Sequence, residues 1–115
     1  MRKLVVVDDC IIVRNLVKFM IPNNDWEVIC YSKPEKLLQD LETQNWDALI
    51  TDYNMPGMNG YDLARLAVDR DVKVIMMTAN RKVPELHPDI NDLVQSLLFK
   101  PFKRNSLLGA IQALS

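Results

Sequence analysis

Asp8 and Asp9 stand side by side after one apolar run of the chain, Asp52 closes another, Thr78 a third and Lys100 a fourth. Three carboxylates held within about 5 Å of one another repel by roughly 3 kcal/mol per pair at an effective dielectric of about 20. A cation relieves that repulsion. Every candidate ligand is an oxygen, with no His or Cys converging, so a hard ion such as Mg²⁺ is favoured over zinc or copper. Lys100 adds a fixed positive charge and Thr78 a hydroxyl donor, and with the metal they make a pocket suited to a tetrahedral anion, most simply a phosphoryl group. A carboxylate beside such a metal can itself attack phosphorus in line, so one Asp could be a covalent acceptor. Spacing alone does not choose among Asp8, Asp9 and Asp52, which are chemically alike.

These residues act together only if the fold gathers them. Five short apolar runs recur: Leu4 to Val7, Val28 to Tyr31, Ala48 to Ile50, Val74 to Met77 and Leu97 to Phe99. They are continuous rather than alternating, as strands covered on both faces require. Between them, Ile12, Val13, Leu16, Val17 and Met20 recur at helical spacing until Pro22. Ser32 with Glu35 is a capping-box signature, Pro34 suits a first turn, and Leu37, Leu38 and Leu41 make an apolar stripe. Asn59 is placed to cap a third helix whose buried side includes Leu63, Leu66 and Ala67, and Leu107, Leu108, Ile111 and Leu114 line a last one. Pro84 and Pro88 interrupt the fourth helical stretch, leaving an irregular start and a short helix from about Pro88 to Val94. Strands alternating with helices imply right-handed crossovers and an α/β, doubly wound parallel sheet between two helical layers. Every strand's carboxyl end then lies on one edge, where ligands of such sheets bind. Each polar residue alone reads as a solvated turn, a cap, a strand residue or a surface charge. Together they end four of the five runs.

The 115 residues are 49% hydrophobic and 25% charged, without repeat, linker or low-complexity tract, which fits one globular domain. Fourteen basic against fifteen acidic residues give a net charge of -1, so direct nucleic-acid binding is not expected. The apolar runs fall far short of the roughly 20 residues that cross a bilayer, and no signal peptide is evident, so a cytoplasmic protein without membrane contact is expected. Cys10 and Cys30 lack metal-ligand spacing and are expected as reduced thiols, Cys10 as a small packed side chain. His87, between Leu86 and Pro88, reads as a surface loop residue. Met55, Met58, Met76 and Met77 read as packing or loop residues.

The stretches Leu4-Val-Val-Val-Asp8-Asp9, Asp52-Tyr-Asn54-Met-Pro56-Gly57-Met-Asn-Gly60, Met77-Thr78-Ala79 and Lys100-Pro101-Phe102, in this order and over the whole chain, resemble the CheY-like receiver domains of two-component response regulators. The resemblance implies a flavodoxin-like (βα)5 domain with strand order 2-1-3-4-5, occupying residues 1–115 with no output domain. It implies that Asp52 accepts a phosphoryl group from a sensor histidine kinase or histidine phosphotransfer protein. Asp8, Asp9, Asp52 and the carbonyl of Asn54 would hold Mg²⁺, and Thr78 and Lys100 would bind phosphoryl oxygens. In similar domains the peptide corresponding to Lys100-Pro101 is often cis, and Asn54 and Asn80 flank the hydrolytic water path. The family is a signalling family rather than an enzyme family, with slow self-dephosphorylation, and a downstream protein target would be met over roughly Pro84 to Leu114. Homodimerisation stays open. Pro56-Gly57 suits a turn of fixed φ followed by positive φ.

Three departures concern the switch rather than the phosphoryl chemistry. Leu97 stands where receivers usually place a Tyr or Phe, so aromatic gating at that position is absent, and Phe99 is expected in the core. The two prolines remake the start of the fourth helix, and Leu93-Val94-Gln95 replaces a small Gly-Ala pair. Two other function classes compete: a receiver-like interaction module that works without phosphorylation, and a metal-dependent aspartyl phosphatase. The latter's Asp-x-Asp motif is missing, because Asp8 is followed by Asp9 and Cys10.

Overall fold

Strand-forming Val, Ile and Leu runs sit at the centre of a parallel sheet in a computed structural model that describes residues 2–21, 25–40 and 45–114. The strands are β1 (Arg2–Val7), β2 (Trp26–Tyr31), β3 (Ala48–Asp52), β4 (Lys73–Thr78) and β5 (Ser96–Phe99). Their order is β2-β1-β3-β4-β5 with every neighbour parallel, the doubly wound topology expected. The helices are α1 (Ile11–Met20), α2 (Pro34–Asp40), α3 (Gly60–Val68), α4 (Val83–Leu86), α5 (Ile90–Leu93) and α6 (Arg104–Gln112).

The continuous apolar runs are explained by two-sided burial. Leu4 and Val6 of β1 join Val17, Ile50, Ile75 and Leu107 in the core beneath α1 and α6. Val5 and Val7 point the other way, into the core with Leu37, Leu49, Leu63, Val74, Val83 and Ile90 beneath α2 to α5. Met76 and Met77 are fully buried on opposite faces and Met55 nearly so, as packing residues. Local signals hold where expected: Asn59 Oδ1 accepts the Asp62 N–H at 2.9 Å and caps α3, and Gly57 takes φ 85° in the turn after Pro56.

Four expectations need correction. Leu66 is 39% exposed, and Ala64 takes the buried place on α3 beside Leu63 and Ala67. On α1 only Val17 is fully buried; Ile12 and Leu16 are exposed, because the neighbouring elements cover a narrower face than the apolar residues span. The short helix expected from about Pro88 to Val94 is α5, but the stretch before it, expected to be irregular, closes a one-turn helix of its own, α4, which carries Pro84 in its first turn, where its missing N–H leaves no helical bond unmade. Cys10 is exposed at the start of α1 rather than packed, and both cysteines are free thiols. Pro22 and Leu41 lie outside the described residues. Among those described, no helix is long and apolar enough to cross a membrane.

Candidate functional site

Parallel strands β1, β3, β4 and β5 end on one rim, and each delivers a polar residue there. Asp8 follows β1 and is buried; its N–H continues the ladder to Tyr31 O at 3.2 Å. Its Oδ1 accepts the Cys10 N–H at 2.9 Å, and its main-chain carbonyl accepts Arg14 Nη1 at 2.7 Å, so the residue before α1 holds the carboxylate and α1 itself holds the backbone. Asp52 ends β3, and the N–H of the next residue, Tyr53, donates to Met77 O at 2.9 Å. Lys100 leaves β5 with its N–H on Thr78 O at 2.7 Å, and the Lys100–Pro101 peptide is cis.

The side chains converge. Lys100 Nζ lies 3.0 Å from Asp8 Oδ2 and 3.2 Å from Asp52 Oδ1. Asp8, Asp9 and Asp52 each present an oxygen within 4.8 Å of the others, with Asp9 exposed and the other two buried. Three carboxylates therefore face one ammonium, and the site keeps an unmet demand for positive charge. All the donors are hard oxygens, and exposed Asp9 leaves a side for retained water, so the residues fit Mg²⁺. Thr78 is fully buried at the same rim. Its hydroxyl accepts the Asn80 N–H at 2.9 Å, and Asn80 Oδ1 in turn accepts the Lys82 N–H at 3.0 Å, stapling the loop after β4. Asn54 lies exposed two residues beyond Asp52.

Burial raises the Asp52 pKa above the ordinary carboxylate value; Lys100 opposes the shift, while the charges of Asp8 and Asp9 add to it. For Lys100, burial pushes the pKa down, but the hydrogen bond to Asp8 and the charges of Asp52 and Asp8 outweigh it and hold it above the usual lysine value.

Some participants escaped the sequence. Arg14 braces Asp8 from α1. Phe99, expected in the core, is half-buried with the Arg81 guanidinium 5.0 Å above its ring. His87 is no free loop residue: Nε2 lies 2.8 Å from the Tyr53 hydroxyl, and the Tyr61 ring stacks on it. Neighbours so distant along the chain leave no periodic signal.

Comparison with known proteins agrees with this geometry. The family model of the response regulator receiver domain matches residues 4–112. The chain is 30% identical over 115 residues to the chemotaxis protein CheY of Pseudomonas aeruginosa, covering 96% of this chain and 93% of that protein. It is 29% identical over 114 residues to the transcriptional regulatory protein FlgR of Helicobacter pylori, covering 96% of this chain but only 29% of FlgR. Among solved structures, the response regulator TrrA of Thermotoga maritima in complex with Mg²⁺-BeF superposes with a TM-score of 0.86 at 25% identity, covering 100% of both chains. With the fold, the acidic rim and the match over nearly its full length in accord, this chain belongs to the response regulator receiver domain family of two-component systems.

Proposed function

We propose that this chain accepts a phosphoryl group on Asp52 from a phosphohistidine of a sensor kinase or phosphotransfer protein, in a Mg²⁺-dependent reaction, and signals by changing conformation. The observation that carries this reading is Lys100 Nζ bridging Asp8 and Asp52 at 3.0 and 3.2 Å beside Asp9. Both oxygens of Asp8 are engaged, Oδ1 by the Cys10 N–H and Oδ2 by Lys100, whereas Asp52 is held through Oδ1. The second oxygen of Asp52 is thus the one placed to attack. Asp8, Asp9, Asp52 and the Asn54 carbonyl would hold Mg²⁺, which supplies charge neutralisation at the phosphoryl oxygens. The Asp52 oxygen bonds to phosphorus as the phosphorus–nitrogen bond to the donor imidazole breaks, and Lys100 meets the charge of the transferred group. Thr78 can offer its hydroxyl proton to that group while its oxygen breaks from the Asn80 N–H, which frees the stapled loop ahead of α4. The surface from roughly Pro84 to Leu114 then meets the downstream target, with its population shifted by that target's preference for one state. Two free thiols suit a cytoplasmic setting. The test is incubation with Mg²⁺ and acetyl phosphate followed by intact-mass analysis. One added phosphoryl group is expected, mapping to the Asp52 peptide and prevented by a chelator. No mass gain, or one indifferent to chelation, sinks the reading.

The route of the donor has its own support. Ile12, Leu16 and Phe19 share one face of α1 and are 74%, 46% and 85% exposed. Beside them a 360 Å³ cleft is lined by Val13, Leu16, Ala79, Lys100, Pro101 and Phe102. An apolar ridge at the mouth of the phosphoryl site fits a protein donor better than a small one. Phe19→Glu is expected to slow transfer from a protein phosphohistidine donor by about tenfold, the loss of one interface anchor, while acetyl phosphate labelling stays within about twofold. Equal slowing with both donors in a quenched-flow assay would remove the ridge from the docking path.

A further inference from the structure

His87 is the chain's one histidine, and it stands at the joint between α4 and α5. Its N–H donates to Val83 O at 2.8 Å and closes α4, while its carbonyl accepts the Ile90 N–H at 3.0 Å and opens α5. The ring is gripped from two directions. Tyr53 Oη lies 2.8 Å from Nε2, and the Tyr61 ring stacks on the imidazole at 3.8 Å between centroids and 15° between planes. The Tyr61 hydroxyl donates to Asp89 Oδ2 at 2.7 Å, so the grip closes back on the residue preceding α5.

Both tyrosines belong to the segment that leaves the acceptor. Tyr53 follows Asp52 directly, and its backbone is pinned on both sides: its N–H on Met77 O at 2.9 Å and its carbonyl under the Gly60 N–H at 2.8 Å. Tyr61 lies in the first turn of α3. The joint also receives the chain from the other side, since the Thr78–Asn80–Lys82 staple runs directly into α4. Two inputs from the phosphoryl rim therefore meet at one imidazole, one through the loop after β4 and one through side chains. Leu97 of β5 supplies no such link; it packs as a half-buried aliphatic residue against the core beneath α2 to α5.

We infer that the Tyr53–His87–Tyr61 clasp couples the state of Asp52 to the placement of the α4–α5 surface, with Tyr53 and His87 as positioning residues. The inference rests on the phosphoacceptor reading above. Coupling needs an element with two packed arrangements. Here the Tyr53 backbone is pinned on both sides, while the loop after Thr78 is held through the Thr78 hydroxyl; if that hydroxyl turns to the phosphoryl group the loop is released, and the joint must either slide against the clasp or be carried with it.

The test uses the whole chain with Mg²⁺ and acetyl phosphate, or with Mg²⁺ and beryllofluoride as the phosphoryl mimic. Tyr53→Phe keeps the buried ring and removes only the hydroxyl; His87→Leu removes the imidazole; His87→Gln keeps an acceptor for Tyr53. In the wild type, amide exchange across residues 83–93 is expected to change by about threefold or more on loading, within the range of side-chain coupling energies. The ring resonances of the single histidine should move with it. In Tyr53→Phe and His87→Leu the exchange response should fall below half while the phosphoryl mass gain is unchanged, and His87→Gln should recover part of it. Wild-type responses in both deficient variants, or a histidine signal indifferent to loading, overturn the inference. A wild type that takes up no phosphoryl group overturns the reading beneath it, and the mass spectrum alone reveals that case.

Discussion

Asp52→Asn is expected to take up no phosphoryl group under conditions that label the wild type, a loss of at least about 100-fold in rate, and to be more stable than the wild type without metal. The first effect follows from the nucleophile. An amide oxygen carries no charge, Asp8 has both oxygens engaged, and Asp9 is exposed rather than held by Lys100. The second follows from the raised pKa, which arises from burial and from the charges of Asp8 and Asp9 against the pull of Lys100. The folded state binds the Asp52 proton more tightly than the unfolded chain does. Stability therefore falls as pH rises from the ordinary carboxylate range through the raised pKa, and the loss persists at neutral pH. Removing the charge should return about 1 kcal/mol at pH 7, or about 4 °C in the melting temperature, and nothing once the carboxylate is protonated in both states. Intact-mass analysis, with melts at pH 7 and below about pH 3, where an ordinary Asp carboxyl is protonated, checks both parts. Equal labelling of the variant removes Asp52 as acceptor; a lower melting temperature at pH 7 contradicts the electrostatics.

Gly60→Ala is expected to destabilise the domain by about 3 kcal/mol, at the upper end for overpacking, which is on the order of 10 °C in melting temperature. Gly60 opens α3 with its N–H on Tyr53 O at 2.8 Å. A methyl group there would overlap the Asp52 carbonyl oxygen and lie 2.9 Å from Tyr53 Cα. Those neighbours are main-chain atoms of the strand end that carries Asp52, so no side chain can swing aside. The modest helix-propensity gain of Ala over Gly is too small to compensate. Because any relief must displace residues 52 and 53, acetyl phosphate labelling should slow as well. Urea unfolding with an unchanged slope and a lower midpoint is the expected signature; a stability change within about 0.5 kcal/mol would show that α3 can retreat from the strand end.

The sheet was legible because two-sided burial leaves a simple mark. Leu4 to Val7 and Val74 to Met77 are continuous since alternate side chains enter opposite cores. The site was legible for a related reason: parallel strands share one exit edge, so polar residues ending separate runs must meet there. Local chemistry also spoke plainly at Asn59, which caps α3, and at Gly57, whose turn needs positive φ. Inferences that depended on a covering neighbour held for Val17, Leu37, Leu63, Ala67, Leu107 and Ile111, which are buried, and failed at the margins of the apolar stripes. Periodicity marked Leu66, Ile12 and Leu16 as apolar-face residues, yet a helix buries only the part of its stripe that another element reaches. Pro84 and Pro88 announced a broken helix, but not that the first fragment would close a turn of its own. His87 looked idle between Leu86 and Pro88 because its partners, Tyr53 and Tyr61, are 34 and 26 residues away along the chain. Hydrogen bonding and ring stacking at that separation have no period and no spacing rule. Composition and order thus determined the layers and which polar residues meet at the rim, while only tertiary contact decided which surfaces stayed bare and which distant side chains were brought together, since both depend on where distant segments come to rest.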